Sequence, residues 1–149
     1  MDESKDPGIR ISQIFLGKAL FEHSDDPTLT PARTKAGEHQ INIIVNAAAT
    51  EDERAGIITV LVQTTPENKG SYRFVVEMVG LVDREPGAEN MSIATYLTGP
   101  ATATLFPFVR EALANITGRG RFGPVWLKPF NLNAVQQEGA PDVIRAEAE

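Results

Sequence analysis

The sequence predicts an α+β domain in which an antiparallel sheet of four strands is followed by helices. Three observations carry this: four apolar, β-branched stretches fill the first 83 residues, short polar turns join the last three of them, and helical spacing takes over after Asp83. The chain has 149 residues, 42% of them hydrophobic and 23% charged, which is a globular mixture sufficient for one domain.

The first eight residues are charged and contain Pro7, which predicts a flexible tail over 1–8. "IRISQIFLGKALF", residues 9–21, reads as a strand, with Ile9, Ile11, Phe15, Ala19 and Phe21 on one period-2 face and Ile14, Leu16 and Leu20 on the other. Both faces then need cover. Residues 22–37 form a long polar connection with Pro27 and Pro31, of a length more often functional than a simple turn. In "EHQINIIVNAAA", Ile41, Ile43 and Val45 alternate with Asn42, Ile44 and Asn46, as in a strand with one packed and one partly wet face. "TEDERAG" is a charged turn. "GIITVLVQTT" and "SYRFVVEMVGLV" are the third and fourth strands, and "PENKG" between them suits a hairpin.

Beyond Asp83, "MSIATYLTGPATA" is ambiguous and helical at most in its first half. Phe106, Val109, Leu113 and Ile116 then recur at helical spacing. Pro107 belongs in that helix's first turn, where no N–H is needed, and Gly118 or Gly120 ends it, with Arg119 and Arg121 at the negative pole of the helix dipole. Pro124 and Pro129 make "FGPVWLKPFNL" extended. "NLNAVQQEG" predicts one or two helical turns capped by Asn131 or Asn133, and residues 138–149 a polar tail. Residues 9–137 are thus expected to form a single domain.

The net charge is −6, so no basic field exists to hold a phosphate backbone, and nucleic acid is not an expected partner. No cysteine is present, which removes thiolate chemistry and cysteine–metal sites and agrees with a reducing compartment. The N-terminus lacks a signal-peptide pattern, and no apolar run reaches membrane-spanning length, so a soluble cytoplasmic chain without membrane insertion is expected.

Motifs that would carry chemistry lack their context. Gly118-Arg-Gly-Arg-Phe-Gly123 is a literal G-x-G-x-x-G, but it follows a helix and runs into Pro124, whereas a phosphate loop lies between a strand and a helix N-terminus. It reads as a helix stop. His23 stands near Glu22, Asp25 and Asp26, a set with oxygen and nitrogen donors for a metal-dependent enzyme, yet His39 is the one other histidine, and an acid–base site is hard to assemble from the pair. The "TEDER" carboxylates sit in a turn, where solvent keeps two acids alike instead of separating their proton affinities. No serine lies in a nucleophile elbow. Neither a cofactor nor a resident metal is expected. Phe106, Phe108, Phe122, Trp126 and Phe130 cluster late in the chain and are read first as core, with an apolar binding surface as the other possibility.

"LFPFVREALANITGRGRF", with its Leu-Phe-Pro-aromatic start, Arg-Glu pair and Arg-Gly-x-Phe exit, resembles the SecB family of protein-export chaperones. Leu127-Lys-Pro-Phe-Asn-Leu132 resembles the family's Leu-x-Pro-x-Asn stretch, and "IRISQIFLGKALFEHSDDP" its first strand. The likeness spans about residues 9–137. It implies a four-stranded antiparallel sheet with the helices on one side, assembled as a dimer of dimers, without enzymatic activity. Such chaperones keep precursor proteins unfolded and hand them to the SecA motor ATPase, whose basic zinc-bearing tail docks on an acidic sheet face. Glu22 and Glu77, with Val75 between them, correspond to that docking site, while Ala19 stands where family members often carry an acid. The resemblance further points to Leu29, Met78, Phe130, Leu132 and Val135 for client contact beneath the long loop and the final helix, and to Phe15, Val109 and Ala112 for the homotetramer interface. Two alternatives stay open: a solitary SecB-like chaperone dedicated to one partner, such as a toxin–antitoxin pair, and the small metal-dependent enzyme built on the His23 loop.

Overall fold

A computed structural model describes residues 8–24, 39–87 and 91–128, together with the backbone of 136–137 and 142–144. Four strands, β1 (Ile9–His23), β2 (Ile41–Thr50), β3 (Ala55–Thr64) and β4 (Tyr72–Arg84), form an antiparallel meander in which β1 returns to the far side of β4. The order across the sheet is therefore β1-β4-β3-β2. Long antiparallel neighbours joined by short turns follow from the β-branched stretches and the "TEDER" and "PENKG" punctuation.

Helix begins in the first half of residues 91–103, the part that could read as helical, and then runs on through the half where the sequence suggests none. Helix α1 (Ile93–Tyr96) is capped by the Ser92 side chain, which accepts from the Thr95 N–H. It continues through a wider π turn, Leu97–Ala101, into helix α2 (Thr102–Thr117). The buried Thr102 hydroxyl donates to the Leu97 carbonyl at 3.0 Å, a side-chain bond that spans the widened turn. Pro107 consequently lies in the second turn of α2, not at the helix start. The helix ends at Thr117 with Gly118 as C-cap, as expected for the helix stop.

One face of the sheet receives the helical layer. Leu97, Leu105, Val109 and Leu113 are fully buried against Ile58, Val60, Val62, Phe74, Val76 and Val82. Burial of one such side chain contributes about 1.5–3 kcal/mol before the entropy of ordering is set against it. Mid-strand Gly80 permits this close approach, because a Cβ there would stand 2.9 Å from Leu105 Cδ1 and 3.2 Å from Ile58 Cγ2. Beyond the helix, Val125 and Leu127 point inward while Trp126 and Lys128 point outward. The Val125 N–H donates to buried Thr117 Oγ1 at 2.8 Å, and Arg110 Nε donates to the Leu127 carbonyl at 2.7 Å, so this extended return is laced to α2.

The faces of β1 differ from simple alternation. Register shifts between Ile11 and Gln13 and between Leu16 and Lys18 mark two β-bulges. Each extra residue resets the alternation, so Ile11, Ile14, Leu16, Ala19 and Phe21 all share the helix side with their β4 partners, and Gln13, Phe15, Lys18, Leu20 and Glu22 share the outer side. Among the described residues β1 is also not covered on both faces, since Phe15, Leu16 and Leu20 are exposed.

At the other edge, β5 (Gln136–Gln137) and β6 (Asp142–Ile144) pair with β2 in parallel. Gln136 and Gln137 are thus strand where the sequence suggested a capped helix, and part of the polar C-terminal tail joins the sheet. An edge strand offers a row of unpaired N–H and C=O groups, and pairing with it outweighs the weak intrinsic helicity of a short polar segment. Among the described residues no helix is long and apolar enough to cross a membrane, a statement that does not extend to strands.

Candidate binding surfaces

Among the described residues, the sheet's outer face carries no helix. Glu22, Val75 and Glu77 all lie on it: Val75 and Glu77 are two apart on β4, and Glu22 is opposite Arg73 in register. The three residues named from the resemblance therefore share one face, but the sequence reading did not include the cations among them. Arg73 Nε donates to Glu22 Oε2 at 3.0 Å, and Lys18 stands opposite Glu77. Ala19, read as the place of a missing acid, pairs with Val76 on the helix side, so the outer-face position facing Glu77 belongs to Lys18. Glycine at the second bulge shapes the surroundings of Glu77, because a Cβ on Gly17 would sit 2.6 Å from Glu77 Oε1.

On the helix side, a cavity of about 560 Å³ opens between β1 and α2, lined from the sheet by Leu16, Ala19, Val76 and Met78 and from the helix by Phe108, Ala112 and Ile116 among others. Met78 thus belongs to an apolar cavity floor and is itself buried, with 7% of its surface exposed. Ala112 is half-buried at the same cavity. Val109, expected at an oligomer interface, is wholly buried beneath its own sheet and belongs to this chain's core. Phe15 is 42% exposed on the outer face of the edge strand. Leu29, Phe130, Leu132 and Val135 lie outside the described residues, as do Asp25 and Asp26.

The two ends of the long connection meet at one anchor. The Ser24 N–H donates to the Ser71 carbonyl at 2.7 Å and its hydroxyl to the Gly70 carbonyl at 2.9 Å. His23 Nε2 accepts from the Arg121 N–H at 3.2 Å, and His39 Nε2 accepts from the Tyr72 N–H at 3.1 Å. Tyr72, 1% exposed, is the centre of this cluster: its hydroxyl donates to the Gly123 carbonyl at 2.7 Å and accepts from the Phe122 N–H at 2.8 Å. Burial pushes the Tyr72 phenol above its ordinary pKa, and the Phe122 N–H opposes that only in part. Gly120 admits the ring, since a Cβ there would stand 2.8 Å from Tyr72 Cε1 and 2.7 Å from Phe21 Cζ. The signal in the sequence was Gly120 itself, read as part of a helix stop. His23 is accordingly an acceptor at the end of β1, and among the described residues no three His, Cys, Asp or Glu side chains are grouped to hold a metal ion.

A second cavity, of about 580 Å³ and polar, lies at the opposite end of the sheet beside Glu53, Arg84 and Ser92. Arg84 donates to the Glu53 carbonyl at 2.7 Å, to Glu53 Oε1 at 3.0 Å and to the Met91 carbonyl at 2.8 Å. Glu53 Oε1 also accepts from the Ile93 N–H at 2.9 Å, which ties the β2–β3 turn to the start of α1 and holds Glu53 at a φ of 62°. The Thr50 hydroxyl, followed by the Arg54 N–H, holds the Asp52 carboxyl below its usual range. These groups satisfy one another and account for the turn structurally.

Of the late aromatic residues expected in the core, Phe106 and Phe122 are half-buried, while Phe108 and Trp126 are 45% and 53% exposed. Trp126 lies beneath the Arg110 guanidinium, 4.8 Å from the ring centre. Of these four, Phe106 and Phe122 pack against the core and Phe108 and Trp126 belong to the surface, while Phe130 lies outside the described residues.

Residues 2–141 match the family described as Preprotein translocase subunit SecB. A protein-export protein SecB of Cellvibrio japonicus is 30% identical over 132 residues, covering 87% of this chain and 77% of its own length. The protein-export protein SecB of Actinobacillus succinogenes is 26% identical, covering 95% of this chain and 90% of its own. Among solved structures, a SecB-like chaperone of Mycobacterium tuberculosis, in complex with a peptide from the HigA1 antitoxin, has a TM-score of 0.63 at 14% identity, over 87% of this chain and 98% of that one. At that identity the likeness is one of fold.

Proposed function

Because the chain belongs to the SecB family of export chaperones, we propose that it binds unfolded precursor proteins, keeps them competent for translocation and delivers them to the SecA motor. The observation that carries this reading is the family match across residues 2–141, which takes in both the sheet and the helical layer. SecB is a chaperone family, and in this reading the protein works in the cytoplasm, without enzymatic activity or cofactor, as a single domain over residues 9–137 between flanking tails.

Its assembly is a homotetramer, a dimer of dimers. Supporting this are the exposed apolar side chains along β1, namely Phe15, Leu16 and Leu20, and Phe108 at the cavity mouth. Phe15 and Ala112 stay as interface residues, whereas Val109 does not. Clients contact Met78 together with Leu29, Phe130, Leu132 and Val135, and a long client that touches several protomers gains avidity through effective concentration. SecA docks on the outer sheet face around Glu22, Val75 and Glu77.

The test is refolding of a slow-folding substrate with stoichiometric purified protein. Delay by the chaperone, with long unfolded chains bound far more tightly than short peptides of the same sequence, is the expected result. Equal affinity for both would rule out the multi-site mechanism. A second reading, a chaperone dedicated to one partner, is favoured by the antitoxin peptide on the M. tuberculosis neighbour; a toxin–antitoxin operon beside the gene would select it.

A further inference from the structure

The two long edge strands of the sheet are guarded differently. β1 carries two bulges and the charges Arg10 and Lys18, features that discourage a passing chain from adding as a further strand. β2, "INIIVNAAAT", has no bulge in its register with β3, no proline and no charged side chain. A long uncharged edge of this kind presents N–H and C=O groups with which an extended polypeptide can pair whatever its side chains. The cover it has is the chain's own C-terminal segment: β5 sets Gln136 and Gln137 against Ile44 and Val45, and β6 sets Asp142 to Ile144 against Ala48 to Thr50.

That cover is weak. On β2 only Asn46 and Ala47 separate the two contacts, whereas residues 138–141 separate them on the tail, so the parallel ladder is broken between two very short strands. β3 holds the other side of β2 without a break from Ile41 to Ala49. The tail also carries Glu138, Asp142, Glu147 and Glu149 against Arg145, so it has little apolar surface to bury. We propose that β5 and β6 are an intramolecular competitor, which occupies the β2 edge until an extended, uncharged stretch of unfolded polypeptide displaces it by adding as a strand. The proposal rests on the reading of the protein as a holder of unfolded clients, and adds to it one contact surface and its regulation. The tail then lowers client affinity by the fraction of molecules in which the edge is free.

Two full-length variants test this in opposite directions. Gln136→Pro, Gln137→Pro, Asp142→Pro and Val143→Pro together remove consecutive donors from both tail strands, so whichever N–H of each pair faces β2 is lost. Ala48→Cys with Asp142→Cys puts two thiols on register partners in a chain that otherwise has no cysteine, at the about 4.7–4.9 Å strand spacing that a disulfide can bridge. The probe is fluorescein-labelled, reduced and carboxymethylated α-lactalbumin, an unfolded chain with no free thiol, followed by fluorescence anisotropy. The expected result is binding about threefold or more tighter in the proline variant, and about fivefold or more weaker in the oxidised cysteine variant, recovered in the same sample on adding dithiothreitol. Wild-type affinity within about twofold in either the proline variant or the oxidised variant, or failure of the two cysteines to cross-link, overturns the inference and leaves the chaperone reading standing. Absence of probe binding by the wild type and by both variants overturns the client reading and the inference with it.

Discussion

Replacing Tyr72 by Phe removes one oxygen atom from the anchor that joins the start of β4 to the turn after α2. The ring keeps its contacts with Phe21, His23 and His39, whose centroids lie 5.0–5.5 Å away, so packing is conserved and the hydroxyl alone is tested. Two bonds disappear together, the donation to the Gly123 carbonyl and the acceptance from the Phe122 N–H. A fully buried orphan costs about 1–3 kcal/mol each, but Phe122 and Gly123 are half-buried and water reaches part of them. Phenylalanine is also easier to bury than a phenol. The net loss should therefore be about 1–2 kcal/mol, or about 2–8 °C in thermal midpoint for a chain of this size. Circular dichroism melts at one fixed protomer concentration measure it, since association makes the midpoint concentration-dependent. Amide exchange at Phe122 should accelerate by a similar free energy. A midpoint within about 1 °C of the wild type, with Phe122 still protected, would refute the reasoning.

Gly80→Ala pits about 0.4–1 kcal/mol gained from a stiffer unfolded chain against about 1–3 kcal/mol of overpacking beneath Leu105, so urea unfolding should show a net loss, recovered in part by Leu105→Val in the same chain. Val109→Ala should lower stability by about 1–2 kcal/mol without changing the oligomer seen by light scattering, because its side chain meets only its own sheet. Burial raises both Tyr72 and Tyr96 above 10.0, so their neutral forms are favoured in the folded state. That contribution is complete below the unfolded value and is lost as pH rises above 10 through the folded values; alkaline melts should fall more gently in Tyr72→Phe, and tyrosinate absorbance should lag behind that of a free phenol.

The antiparallel sheet, the helix stop at Gly118 and the Val109–Leu113 part of the buried stripe were legible in the sequence because each is local: alternation, glycine and a 3.6-residue repeat act within a few positions, although Leu105 and not Phe106 is the fully buried residue at the start of that stripe. Helix extent was less so. The π turn lets Leu97–Ala101 continue through Gly99 and Pro100, where local propensity argues for a break, and packing on the sheet outweighs it. Gln136 and Gln137 took strand form because a neighbouring edge was open, a fact no local pattern records. For the candidate docking face, Glu22, Val75 and Glu77 were found by resemblance, and their side of the sheet by none of the periodicities. Strict alternation along β1 sends Phe15 and Ala19 to one face; the bulge between Leu16 and Lys18 separates them, leaving Phe15 outside and Ala19 over the cavity.

The sequence by itself determined which stretches become strands, that a helix follows them, and the family to which the chain belongs, since these depend on residue type at short range. Only the tertiary structure decided which charges meet. Lys18 and Glu77 are separated by 59 positions, and nothing near either residue states that a bulge at Gly17 and the β1–β4 register bring them face to face. Register is set by the burial of whole strand faces and by where an extra residue is absorbed, which are global packing decisions. In this chain those decisions set Lys18 and Arg73 directly across from the two acids that the resemblance singled out.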